Sequence, residues 1–123
     1  MSQSLFLLIA ATIPMLFGLV MMFFPNMMLA NSLTSAAGKQ TVSVTQWAGF
    51  GTFTVGLITF LARNDPGSDA LQAIMIGNIV FHFLGLCFDI SHYRIGIMKL
   101  SGLLTGLLPH SLLIAGFLYF LIK

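Results

Sequence analysis

Asn78, His82 and Asp89 interrupt an otherwise apolar run from Gly77 to Asp89, and His110 stands in a second such run. An amide, two imidazoles and a carboxylate can accept hydrogen bonds, donate them and hand protons on, and imidazole changes charge closest to neutral pH. On a helix turning 100° per residue, with Asn78 at zero, His82 falls at about 40°, Asp89 at about 20° and Gly85 at about −20°. These four residues form one narrow stripe, and Ile76, Val80, Phe83 and Cys87 occupy the opposite side. Polar side chains in hydrocarbon are costly, so such a stripe marks a site or an interhelical contact.

Composition says that hydrocarbon is the surrounding. Of 123 residues, 58% are hydrophobic and 7% charged, against roughly 25% charged in a soluble domain. Met1 to Gly38 carries no charged side chain at all. Charges and helix breakers then divide the chain into four spans, about 5–24, 45–62, 70–90 and 100–122, each near the ~20 residues that a bilayer core requires. The apolar runs are too long, and alternate too little, for barrel strands. The fold class is therefore all-α: a polytopic membrane protein, residues 1–123 forming a single four-transmembrane-helix bundle.

Local signals refine the ends. Ser43 to Gln46 reads as a capping box opening the second span. Asp65 followed by Pro66 reads as the start of the third. Trp47 and Tyr119 lie near span ends, where amphipathic rings favour the interface. The connection from Asn26 to Val42 is the longest, and Met27 to Ala30 is expected to lie along the interface as a short turn. The first span lacks the basic flank of a signal peptide and exceeds its usual apolar length, so it is expected to be retained. Lys39, Arg94 and Lys99 outnumber Arg63 and Lys123 by one, which favours a cytoplasmic side for the first and third connections. One cysteine, Cys87, allows no internal disulfide and no CxxC pair. No basic cluster offers itself to phosphates, so nucleic acid is not a partner.

Asn78, His82 and His110 fall near the middle of their spans, while Asp89 lies toward an end. Thr12, Thr52 and Thr105 fall at similar depth. Pro14 and Pro109 each free a carbonyl one turn earlier, at Ala10 and Thr105. The expected ligand-binding set is thus Asn78, His82, His110, Thr52 and Thr105. Asp89, roughly 10 Å along the stripe from His82, would complete a proton relay through water. The plainer alternatives are interhelical hydrogen bonds for Asn78, His82 and His110, and an interfacial Asp89 that is solvated or paired with Arg94. Gly49 and Gly56 on the second span, and Gly102 and Gly106 on the fourth, make small-residue faces for close helix packing.

Three functions follow from these residues. The first is a polar midplane pocket that binds or passes a small molecule, with proton-linked chemistry or a quinone-like ligand. The second is a haem- or pigment-binding carrier using His82 and His110. The third is an accessory or self-associating subunit, either a homo-oligomer or part of a larger membrane complex. No residue is assigned to a metal, and the residues name no cofactor. Catalysis is disfavoured, since there is no Ser–His–Asp set, no HExxH, no paired carboxylates at one depth and no phosphate loop.

The stretch Leu16, Phe17, Gly18 to Pro25, followed by Gly49, Gly51, Gly56 and Leu61 to Arg63, resembles the DoxX-like group of small four-helix membrane proteins. In that group a glycine-bearing helix ends at proline and a second glycine-rich helix ends in arginine. The resemblance covers the first half of the chain. Some members are tied to quinone-linked redox chemistry, so the resemblance implies a ligand or quinone site without naming its residues. The expected location is a multi-pass position in a prokaryotic inner (plasma) membrane.

Overall fold

Five helices account for most of the chain in the computed structural model, which describes all 123 residues: α1 Gln3–Phe23, α2 Pro25–Ser32, α3 Lys39–Ala62, α4 Asp69–Arg94 and α5 Leu100–Ile122. All except α2 are long and apolar enough to cross a membrane. The chain is an all-helical, multi-pass membrane protein built as a four-helix bundle with one short extra helix.

Helix ends depart from the sequence expectations in three places. The second span begins at Lys39 after Gly38, so Ser43 and Gln46 sit inside α3 and form no capping box. A turn of polar residues costs little where a helix leaves hydrocarbon, so α3 runs on. The third span is capped by Ser68, whose Oγ accepts from Leu71 N–H at 3.1 Å, while Asp65 and Pro66 stay in the turn before it. The expected interfacial turn is the helix α2, opened by Pro25 at its first position, where proline loses no helical hydrogen bond.

The four spans pack as two tight pairs. In a bilayer, lipid tails are as apolar as leucine, so close backbone approach rather than burial selects neighbours. Between α1 and α3 that approach is made by glycine: a Cβ on Gly49 would stand 2.6 Å from Met21 Cβ, and one on Gly56 2.7 Å from the Ala11 carbonyl. The second pair is the hairpin α4–α5. The pairs meet near the amino end of α1 in a cluster of Phe6, Leu7, Ala10, Leu71, Met75, Leu113 and Phe117. Phe6 meets Phe117 edge-on with centroids 5.1 Å apart.

At the other end, α2 clasps the α4–α5 connection. Lys99 N–H donates to Ser32 O at 2.8 Å and Thr34 N–H to Ile97 O at 3.0 Å. Ser101 Oγ donates to Asn31 O at 2.8 Å. Gly102 lies directly beneath Ser32, whose Cα would be 2.8 Å from an added Cβ. The remaining faces, including Phe50, Ile76, Val80, Phe83 and Leu112, are exposed and apolar, as lipid-facing surfaces require.

Candidate functional site

The polar stripe of α4 faces inward. Asn78 is 2% exposed and His82 3%, in a chain where few side chains of any kind are so enclosed. Two hydrogen bonds fix the Asn78 amide: Nδ2 donates to Thr59 Oγ1 across the α3–α4 contact and to Ile74 O on its own helix, both at 2.9 Å. The orientation follows from counting. Thr59 donates its only hydroxyl hydrogen to Val55 O at 2.9 Å, so toward Asn78 its oxygen can only accept. The amide nitrogen must therefore point at Thr59, and both its hydrogens are used. Asn78 Oδ1 is left buried without a partner.

One turn further along α4, His82 meets His110 of α5. Their Nδ1 atoms are 2.8 Å apart, a direct imidazole–imidazole hydrogen bond. Phe81 edge-on and Phe117 stacked flank the His82 ring, with centroids at 5.2 and 6.2 Å. The far nitrogen, His82 Nε2, is also buried and unpartnered. On the other ring, His110 Nε2 points toward Asp89 Oδ2 at 3.9 Å, ion-pair range but too long for a direct hydrogen bond.

Two glycines make this arrangement fit. A Cβ on Gly85 would come within 2.8 Å of His110 Nε2, and a Cβ on Gly106 would overlap Asp89 Oδ2. Gly106 thus holds a carboxylate, and its neighbour in the GxxxG spacing, Gly102, holds α2. Asp89 is half-buried against α5, and the sequence expectation of a pairing with Arg94 is corrected: its partner is His110.

His110 stands between the two ends of the expected relay, joining His82 to Asp89 through its two nitrogens. If His110 Nε2–H faces the carboxylate, His110 Nδ1 is bare and accepts from His82 Nδ1–H, which leaves His82 Nε2 as a bare acceptor. The chain of groups runs Asp89, His110, His82, and Asn78 follows one helical turn away on the same face of α4.

The threonines expected at this depth join neither group. Thr12, Thr52 and Thr105 donate to the carbonyls four residues earlier, Leu8, Ala48 and Ser101, at 2.8, 2.9 and 2.7 Å. Such back-bonding satisfies the hydroxyl hydrogen locally, and no hydrogen bond joins any of these three to another helix. Thr59, fully buried, is the threonine that does connect helices. Its signal was present in the sequence, because Gly49, Thr52, Gly56 and Thr59 continue one stripe of α3 at spacings of three and four.

The two histidines contact each other directly, and no third metal-ligand side chain is gathered with them. No group of three or more His, Cys, Asp or Glu side chains is gathered for a metal elsewhere. Comparison with protein-family models, curated proteins and solved structures finds no match. The chemistry of this site rests on its own geometry.

Proposed function

We propose that this chain, in a prokaryotic inner (plasma) membrane, binds or passes a small hydrogen-bonding molecule at Asn78 and His82, and moves protons between His82 and Asp89 through His110. Membership of the DoxX-like group belongs to the same proposal and contributes no residue to it. One observation carries the reading: the 2.8 Å bond between His82 and His110 connects a buried, unpartnered nitrogen to a partly exposed carboxylate.

Each imidazole can take a proton on one nitrogen and release another from the opposite one. A proton arriving at His82 Nε2 releases the Nδ1–H to His110 Nδ1, and His110 releases its Nε2–H toward Asp89. No side chain needs to travel between sites; the 3.9 Å gap at the last step closes by a small movement of Asp89 or by one water. Gly85 and Gly106 keep both ring and carboxylate within reach. Thr59 holds the Asn78 amide so that its oxygen, and not its nitrogen, is left free.

The test is proton flux into vesicles containing the purified chain and an enclosed pH-sensitive dye. Wild type should equilibrate an imposed pH difference faster than empty vesicles, and His82→Leu should abolish the difference while keeping its thermal stability. Flux no faster than in empty vesicles would end the proton part of the reading. A bundle that unfolds on His82→Leu would assign His82 to holding helices together.

A further inference from the structure

Asn78 and His82 present their free atoms in an unusual combination. Asn78 Oδ1 can only accept, and the amide cannot turn over, because Thr59 has no hydrogen left to offer. His82 Nε2 accepts in the tautomer that gives His110 an N–H toward Asp89. Both atoms are sealed from solvent and unpartnered. The inner end of the chain therefore offers two acceptors and no donor, one turn apart on α4. A buried acceptor left unpaired is costly, and nothing else in the chain satisfies either one.

A guest that satisfies both atoms must bring at least two N–H or O–H donors. Neither the groove bounded by Cys87, Ser91 and Arg94 nor that bounded by Met22, Gln46 and Trp47 reaches the two atoms. Water meets the donor requirement but is far too weak an acid to yield a proton readily to imidazole. The three groups beyond His82 are arranged to receive one. A carboxylate, Asp89, stands at the far end, 3.9 Å from His110 Nε2.

We propose that the Asn78–His82 site takes a small protonated amine, ammonium or a short alkylammonium, and that His82 removes one of its protons. This rests on the relay proposed above. One N–H of the guest donates to Asn78 Oδ1 and a second to His82 Nε2. Transfer breaks the second N–H bond of the guest and forms Nε2–H on His82. The His82 Nδ1–H then passes to His110 Nδ1, and the His110 Nε2–H passes to Asp89. The products are a neutral amine, two neutral imidazoles and a protonated Asp89, so charge and hydrogen balance with no further reactant. A neutral amine is the form that an apolar bundle releases readily, since charge in hydrocarbon is what costs most.

The test uses the full chain in detergent micelles with 15N-labelled histidine, titrated separately with methylammonium chloride, tetramethylammonium chloride and potassium chloride at fixed pH. The expected result is a saturable movement of the His82 Nε2 resonance with methylammonium alone. Tetramethylammonium has the same charge but no N–H, so it should leave the resonance in place, as should potassium. Asn78→Leu should remove the methylammonium response. Should that variant fail to fold, the comparison of the three salts on wild type still decides the matter. If His82 responds to pH but to none of the salts, the amine proposal is overturned and the proton relay stands. If it responds to neither pH nor amine, both fall. Equal responses to methylammonium and tetramethylammonium would overturn recognition through N–H donors.

Discussion

Gly85→Ala separates the relay from the bundle that holds it. An alanine Cβ at position 85 would lie 2.8 Å from His110 Nε2 and 2.9 Å from Cε1, where ordinary contact begins near 3.4 Å. The His110 ring must retreat by about 0.6 Å. Gly85 and His82 lie on the same face of α4, so retreat from one is retreat from the other. The 2.8 Å bond between the rings lengthens to about 3.4 Å, beyond the usual range of about 2.7–3.2 Å for an N–H donor.

Two energies then oppose each other. An interhelical hydrogen bond in a membrane protein contributes ~0.6 kcal/mol on average and ~1.7 at most. Replacing glycine by alanine inside a helix returns up to ~1 kcal/mol. The two nearly cancel, so stability should change by less than about 1 kcal/mol while the connection between the histidines is lost. Unfolding in mixed detergent micelles, followed by helical circular dichroism, measures the first quantity, and dye-reported proton flux in vesicles measures the second. The expected outcome is a folded protein with flux near that of empty vesicles. Wild-type flux from a folded Gly85→Ala would refute a route through His110.

Further outcomes follow from the same contacts. Gly106→Ala places a Cβ on Asp89 Oδ2, so the carboxylate must leave α5; flux should fall while the His82–His110 bond persists, as read by 15N spectra. A double-mutant cycle of Thr59→Val and Asn78→Leu should show a coupling of ~0.6–1.7 kcal/mol, and additive effects would mean that the Thr59–Asn78 bond contributes nothing. Gly56→Ala should destabilise by about 1–3 kcal/mol through overpacking against the immobile Ala11 backbone, whereas Gly51→Ala meets nothing within 4 Å and should be neutral or slightly stabilising. Equal stability of these two variants would remove the glycine seam as the reason α1 and α3 pair.

The spans were legible because hydrophobic length is a property of the chain alone. The stripe of Asn78, His82, Gly85 and Asp89 was legible for the same reason, since helical angle needs no neighbour. What could not be read is which helices touch. Thr52 sits at mid-span and looked central, yet it bonds only Ala48 O, while Thr59 on the same stripe donates to Val55 O and also accepts from Asn78. In hydrocarbon a threonine always has its own helix as a partner, so depth alone does not identify the one that reaches across. Asp89 misled similarly. Arg94 is close in sequence, but the α4–α5 hairpin brings His110 nearer in space. Ser43 resembled a cap because the first turn of α3 is polar, and nothing in sequence marks where a helix continues beyond the bilayer core.

The most direct measurement is the 15N–15N coupling carried across a hydrogen bond, recorded on histidine-labelled protein in micelles. The chain has three histidines, and His92, stacked on Phe88 rather than bonded to another ring, serves as the internal control. A resolved coupling between His82 Nδ1 and His110 Nδ1, absent in Gly85→Ala, is the expected result. Three uncoupled histidines that titrate independently would contradict the relay at its first link.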